Sequence, residues 1–305
     1  MRFIFISIFL LINTYAYDVT VSIFPQKYFV EKIAKNKVKV NVMVKPGFSP
    51  ATYSPKTSQM RKLNSSTIYF YLGVPFENAW LDKFAYSNKK MLMIDSSKNI
   101  KKLEMLEHEH HEEEQHEKHE EETKEEDHHE EHEEEHHEKH EEEHTGLDPH
   151  TWTDPSLVKI HAKNILDALI KVDSKNTTFY TKNYNFFIEE LSLLDNKIKD
   201  ILKDKKESTF MVFHPSWSYF AKAYHLEQIA VEKEGKEPKV KEIIALVKEA
   251  KEHNIKTLFV SPQFSQNAAK KIAKAINGNV LNVDSLAYKW DENLLKIAKI
   301  IKNQQ

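Results

Sequence analysis

The chain has 305 residues, enough for two core-forming domains at about 100–200 residues each. Its formal charge of −3 conceals a division, because residues 108–144 carry 20 acidic and 3 Lys residues, or −17, which leaves the remainder at +14. The Lys residues of that basic remainder are spread along helix faces, as from Lys239 to Lys256, and are not clustered with aromatics, which argues against a nucleic-acid partner. The chain has no Cys and therefore no disulfide or thiol chemistry, and its five Gly form no phosphate-cradling pattern.

The N-terminal MRFIFISIFLLINTYA has a charged start at Arg2, an apolar stretch from Phe3 to Ile12 and a small residue, Ala16, at a cleavage point. Residues 1–16 read as a secretory signal, because a membrane span needs about 20 apolar residues. With no Cys after the signal, a lipid anchor is not expected. The mature chain is expected to be soluble and periplasmic.

Asp18 to Ile23 alternates as a strand does, and Pro25 opens a helix through about Lys35. Val38 to Val44 is a second strand, followed by the turn-rich KPGFSPATYSPKTSQM. Thr67 to Leu72 is a third, followed by GVPFENAW and a helix, and Met91 to Ile94 is a fourth. Strands alternating with helices predict a parallel sheet with helices on its faces. Residues 108–144 interrupt the alternation. They contain no apolar residue, cannot offset their ordering entropy, and are expected to stay disordered without metal. The pattern resumes at GLDPHTWTDPSLVKI, where Asp154 reads as a helix N-cap and Pro155 as the first helical residue.

From Thr177 to Lys203 there is no Gly or Pro, and apolar residues keep helical spacing, which predicts one helix roughly 40 Å long at 1.5 Å per residue. Such a helix can act as a strut between two lobes. Beyond it the alternation repeats, with strands at Thr209 to Phe213, Leu226 to Val231, Thr257 to Val260 and Val280 to Val283, and helices from Ser216, Val240, Gln266 and Asp291. The expected fold class is α/β, with an N-terminal lobe over 17–174 (including the 108–144 insert), a linker helix over 175–205 and a C-terminal lobe over 206–305.

Ligands of open parallel sheets bind beyond the carboxyl ends of the strands. His214 follows the strand ending at Phe213, Asp284 follows the strand ending at Val283, and His150 lies in the loop before a helix of the first lobe. If the lobes face each other, two imidazoles and a carboxylate converge, a donor set that suits Zn²⁺. Taken singly, each has an ordinary alternative, His150 and His214 as surface residues and Asp284 as a helix cap. The other three histidines read as ordinary: His161 on a helix between Lys159 and Lys163, His225 before a strand, and His253 near a helix C-terminus.

The motifs PGFSPATYSPKTSQM, GVPFENAWLDKF, DPHTWTDP, VFHPSWSYFAKAYHL, SPQFSQNAAKKIA and LNVDSLA, in that order, resemble those of the ZnuA-like solute-binding proteins of zinc and manganese ABC transporters. The resemblance implies two similar lobes joined by a rigid helix, one metal held between them, a membrane permease as partner, a monomer and no enzymatic activity. It makes His150, His214 and Asp284 the metal ligands and Zn²⁺ the transported ion, since manganese-binding relatives carry Glu where His214 stands. One departure stands out: the family has His where this chain has Ala51, with Tyr53 and Pro55 matching around it, so that water or a His of the insert is expected to fill the fourth position. The resemblance also gives the insert a role as a looser zinc collector, through His108, His110, His111, His116, His119, His128, His129, His132, His136, His137, His140 and His144. A manganese-binding protein of the same family, a surface adhesin and a zinc-dependent hydrolase are the competing expectations. No Glu base or nucleophile neighbours the ligand motifs, which weighs against the last.

Overall fold

The computed structural model describes residues 17–105, 146–232 and 238–303. The signal segment and the His/Glu-rich insert lie outside the described residues.

The first sheet contains β1 (Tyr17–Val21), β2 (Val38–Val42), β3 (Ser66–Tyr71) and β4 (Leu92–Asp95), all parallel in the order β2-β1-β3-β4. The second contains β5 (Thr209–Val212), β6 (Glu227–Ala230), β7 (Thr257–Val260) and β8 (Asn279–Asn282), again parallel and in the same order, β6-β5-β7-β8. The two lobes thus repeat one topology. In each, the order reverses between the first and third strands, which is where an open α/β sheet leaves a crevice for a ligand.

Helices α1 (Phe24–Ala34), α2 (Thr57–Asn64), α3 (Pro75–Ser87) and α4 (Pro155–Val172) belong to the first lobe. Helices α6 (Ser218–Ala223), α7 (Val240–Glu252), α8 (Gln266–Ala275) and α9 (Trp290–Lys302) belong to the second. Between the lobes runs α5 (Thr177–Leu202), 26 residues and about 39 Å long. Its inward face, Tyr180, Phe187, Leu191, Leu194, Ile198 and Leu202, packs on α1 and α4 of one lobe and on α9 of the other. Burying one stripe against both lobes makes α5 a strut and not a tether. Strand bounds and helix starts fall within two residues of those predicted, the linker helix ends at Leu202 and not at 205, and Asp154 caps α4 as expected, accepting from the Ser156 N–H at 2.7 Å with Pro155 at the first turn.

The core is continuous across the lobes. One apolar cluster runs from Val19 and Phe29 of the first sheet region through α5 to Phe210, Phe220 and Ile297 of the second. Polar bonds cross at the same level: the Trp152 indole donates to the Ser285 carbonyl at 2.8 Å, and the Trp290 indole donates to the Trp152 carbonyl at 2.7 Å. The Tyr219 hydroxyl, on α6, donates to the Asp148 carbonyl at 2.8 Å and accepts from the Leu103 N–H at 2.9 Å.

One loop of the first lobe has a buried anchor. Glu77 is fully enclosed and accepts from the backbone N–H groups of Leu72, Gly73 and Val74 and from the Ser22 hydroxyl. Burial pushes its pKa up to about 7, and those hydrogen bonds oppose the rise. Gly73 makes the turn possible, since its φ of +92° lies where side chains are disfavoured. The result fixes the loop after β3, whose Val74 and Pro75 help to wall the cavity described next. Among the described residues no helix is long and apolar enough to cross a membrane.

Candidate metal centre

His150 is carried by the segment between the insert and α4. Its backbone N–H and its Nδ1 both meet Asp148 Oδ1, at 2.8 and 2.7 Å, so one buried carboxylate fixes both the turn and the ring. For Asp148, burial alone would raise the pKa, but the His150 charge and its two hydrogen bonds outweigh it and the net shift is downward. The neighbouring Thr151 is held from behind: its hydroxyl meets His161 Nε2 at 2.9 Å, while His161 Nδ1 meets the Ser96 hydroxyl at 3.2 Å. His161 is not the ordinary surface helix residue that Lys159 and Lys163 suggested. It lies on the inward face of α4, fully buried, and burial together with nearby Lys102 lowers its pKa to about 3.

His214 is placed by sheet register. Val212 of β5 pairs with Ala230 of β6, so His214 and Glu232, each two residues further on, stand level beyond the sheet edge. His214 Nδ1 meets Glu232 Oε2 at 3.2 Å, and the ring stacks on Phe264 with centroids 4.5 Å apart and planes 22° apart. Burial lowers the His214 pKa, against an opposing pull from Glu232. A carboxylate on Nδ1 selects the tautomer that leaves the Nε2 lone pair for an ion, an arrangement found behind most metal-bound histidines.

These two rings, from different lobes, meet. Their centroids are 5.3 Å apart with planes 73° apart. Two imidazoles on one tetrahedral Zn²⁺, with Zn–N near 2.0–2.1 Å and a ring radius of about 1.1 Å, would have centroids about 5.2 Å apart. Beside them is a cavity of about 50 Å³, bounded by Pro50 and Ala51, by His150 and Trp152, and by His214 and Phe264. That is room for a small ion with one or two waters. Ala51 thus occupies the cavity wall where the family's first-loop His is expected.

Asp284 is not brought into this pair. It lies in an adjoining cavity of about 110 Å³ that also contains Lys45, and Gln263 forms part of the wall of both. Asp284 Oδ1 accepts from Gln263 Nε2 and from the Leu286 N–H, each at 2.9 Å. Among the described residues no three His, Asp or Glu side chains are grouped to hold an ion. The twelve histidines of the insert lie outside the described residues, but its flanks do not: Glu104 and Leu147 form an antiparallel bridge, and the Met105 N–H donates to the Gly146 carbonyl at 3.2 Å, with Met105 on the cavity wall.

Sequence reasoning did not assign Asp148, Glu232 or Gln263. Asp148 stands inside DPHTWTDP, where a carboxylate two residues before a His is a visible signal for a turn that also grips the ring. Glu232 gives no such signal, because its pairing with His214 depends on strand register.

The chain is similar to known metal-binding proteins. Residues 19–299 match the family model described as zinc-uptake complex component A, periplasmic (ZnuA). The zinc-binding protein AdcA of Streptococcus pyogenes is 28% identical over 262 residues, which are 85% of this chain and 47% of AdcA, so this chain spans about half that relative's length. The high-affinity zinc uptake system protein ZnuA of Bacillus subtilis is 26% identical over 266 residues, 86% of this chain and 75% of that protein. A crystal structure of ZnuA superposes with a TM-score of 0.80 at 36% identity, covering 94% of this chain and 98% of the other.

Proposed function

The chain belongs to the ZnuA family of metal-binding components of ABC importers, which are not enzymes, and from that membership we propose that it captures Zn²⁺ between its two lobes and delivers it to a membrane permease. The observation that carries the reading is the His150–His214 pair, one ring from each lobe, separated as two ligands of a single tetrahedral ion are. Nitrogen donors favour zinc over manganese, which prefers more oxygen. Asp284 is the third ligand, arriving from the adjoining cavity as the ion binds, and a water molecule fills the position left by Ala51. The lobes are those bounded by 17–174 and 206–305. The chain acts outside the cytoplasm, exported by the segment 1–16.

The His/Glu-rich insert serves as a collector that feeds the cavity. Its support is positional: the flanking residues Glu104 and Leu147 pair next to Met105, which lines the cavity, so ions gathered by the insert are released next to the tighter site. Calorimetric zinc titrations of the mature protein test both claims. His150→Ala and His214→Ala are each expected to abolish the tightest binding event, whereas deletion of 108–144 lowers the number of ions bound and leaves that event in place. Loss of the tightest event in the deletion variant would show instead that the insert supplies an essential ligand.

A further inference from the structure

The carboxylate that would complete the capture site is present but detained. Gln263 Nε2 donates to Asp284 Oδ1 at 2.9 Å, and Gln263 stands between the cavity of the two histidines and the cavity of Asp284. The sense of that bond is fixed by chemistry: an ionised carboxylate only accepts, so the amide nitrogen and not its oxygen faces Asp284. The loop that carries Gln263 is itself well held. The Phe264 N–H donates to the Ser261 carbonyl at 3.1 Å, the Ser261 hydroxyl donates to the Val283 carbonyl at 2.7 Å, and Ser265 caps α8 by accepting from the Ala268 N–H at 3.2 Å. The part free to move is therefore the Gln263 side chain, which is only partly buried.

We infer that Gln263 is a positioning residue that sets the affinity of the site by competing with the ion for Asp284. This rests on the interlobe capture site proposed above. In the state described, the amide and the Leu286 N–H together hold the carboxylate on the far side of the shared wall. An ion seated on His150 and His214 draws Asp284 across the shared wall by displacing the amide, so part of its binding free energy is consumed in breaking a hydrogen bond to a charged acceptor. Such bonds are strong enough that removing the donor should tighten binding by about tenfold.

The test uses the mature full chain and competitive titration of Zn²⁺ against a chromophoric chelator. The variants are Gln263→Met, Asp284→Asn, the double variant and His150→Ala, with thermal melts confirming that each folds. Met keeps the bulk of Gln and removes the donor. The expected result is about tenfold tighter zinc binding in Gln263→Met, weaker binding in Asp284→Asn, and no further effect of Gln263→Met in the Asp284→Asn background. Unchanged or weaker binding in Gln263→Met would overturn the inference, because the amide would then be supporting Asp284 in the loaded site. Tightening that persists without the Asp284 carboxylate would overturn it equally. Wild-type affinity in His150→Ala is a separate outcome, which removes the interlobe site and this inference with it.

Discussion

His161 offers the sharpest test of how the first lobe holds the loop that carries His150. It is fully buried between Thr151 and Ser96, and its pKa is lowered from 6.5 to about 3 by burial and by Lys102. The folded chain therefore keeps a neutral ring while the unfolded chain takes up a proton below about pH 6.5, so stability contributed by this residue is complete above that pH and is lost as pH falls towards 3. Integrating between the two pKa values, the loss on going from pH 8 to pH 5 is about 2 kcal/mol from this group alone. Urea unfolding of metal-free protein at both pH values, in wild type and in His161→Gln, isolates the contribution, because every other titrating group is common to both. The drop in unfolding free energy should be smaller in the variant by about 2 kcal/mol. An equal drop in the two proteins would show that His161 is already protonated in the folded state, or that it is not enclosed as described.

Two further substitutions probe the site. Glu232→Gln keeps a hydrogen-bonding group beside His214 but removes the charge that orients its ring, and zinc affinity measured by chelator competition should fall by about ten- to a hundredfold; an unchanged affinity would mean that the ring needs no such support. Ala51→His adds an imidazole to the cavity wall and should tighten binding by at least about tenfold in the same assay, whereas no change would indicate that the fourth position is already filled.

Much of the architecture was legible because it is periodic. The apolar stripe of α5 and the repeated alternation of strand and helix give two lobes and a strut, since burying a helical stripe or a strand face leaves a regular trace in the residue order. His150 and His214 were legible as candidates because each follows a strand or precedes a helix at the edge where ligands gather. What the order of residues does not show is the far side of each contact. His161 is flanked by lysines two positions away on either side, and those neighbours point elsewhere on the helix, so local charge suggested a surface where the inward face of α4 buries the ring. Glu232 reaches His214 only through the pairing of β5 with β6. Asp284 is met by the amide of Gln263, whose reach from the loop after β7 no spacing rule predicts.

The two indoles at the junction of the lobes bear on how far the lobes can move. An indole has a single proton to give, and Trp152 and Trp290 each give theirs to a carbonyl on the opposite half, both rings being almost wholly enclosed. Prising the halves apart would exchange two enclosed hydrogen bonds for bonds to water, at roughly 0.5–1.5 kcal/mol apiece, on top of the apolar contacts forfeited along α5. A junction built this way does not swing widely. Small-angle scattering from loaded and stripped protein should accordingly superimpose, and a radius of gyration that grows measurably on stripping would show that the halves do part.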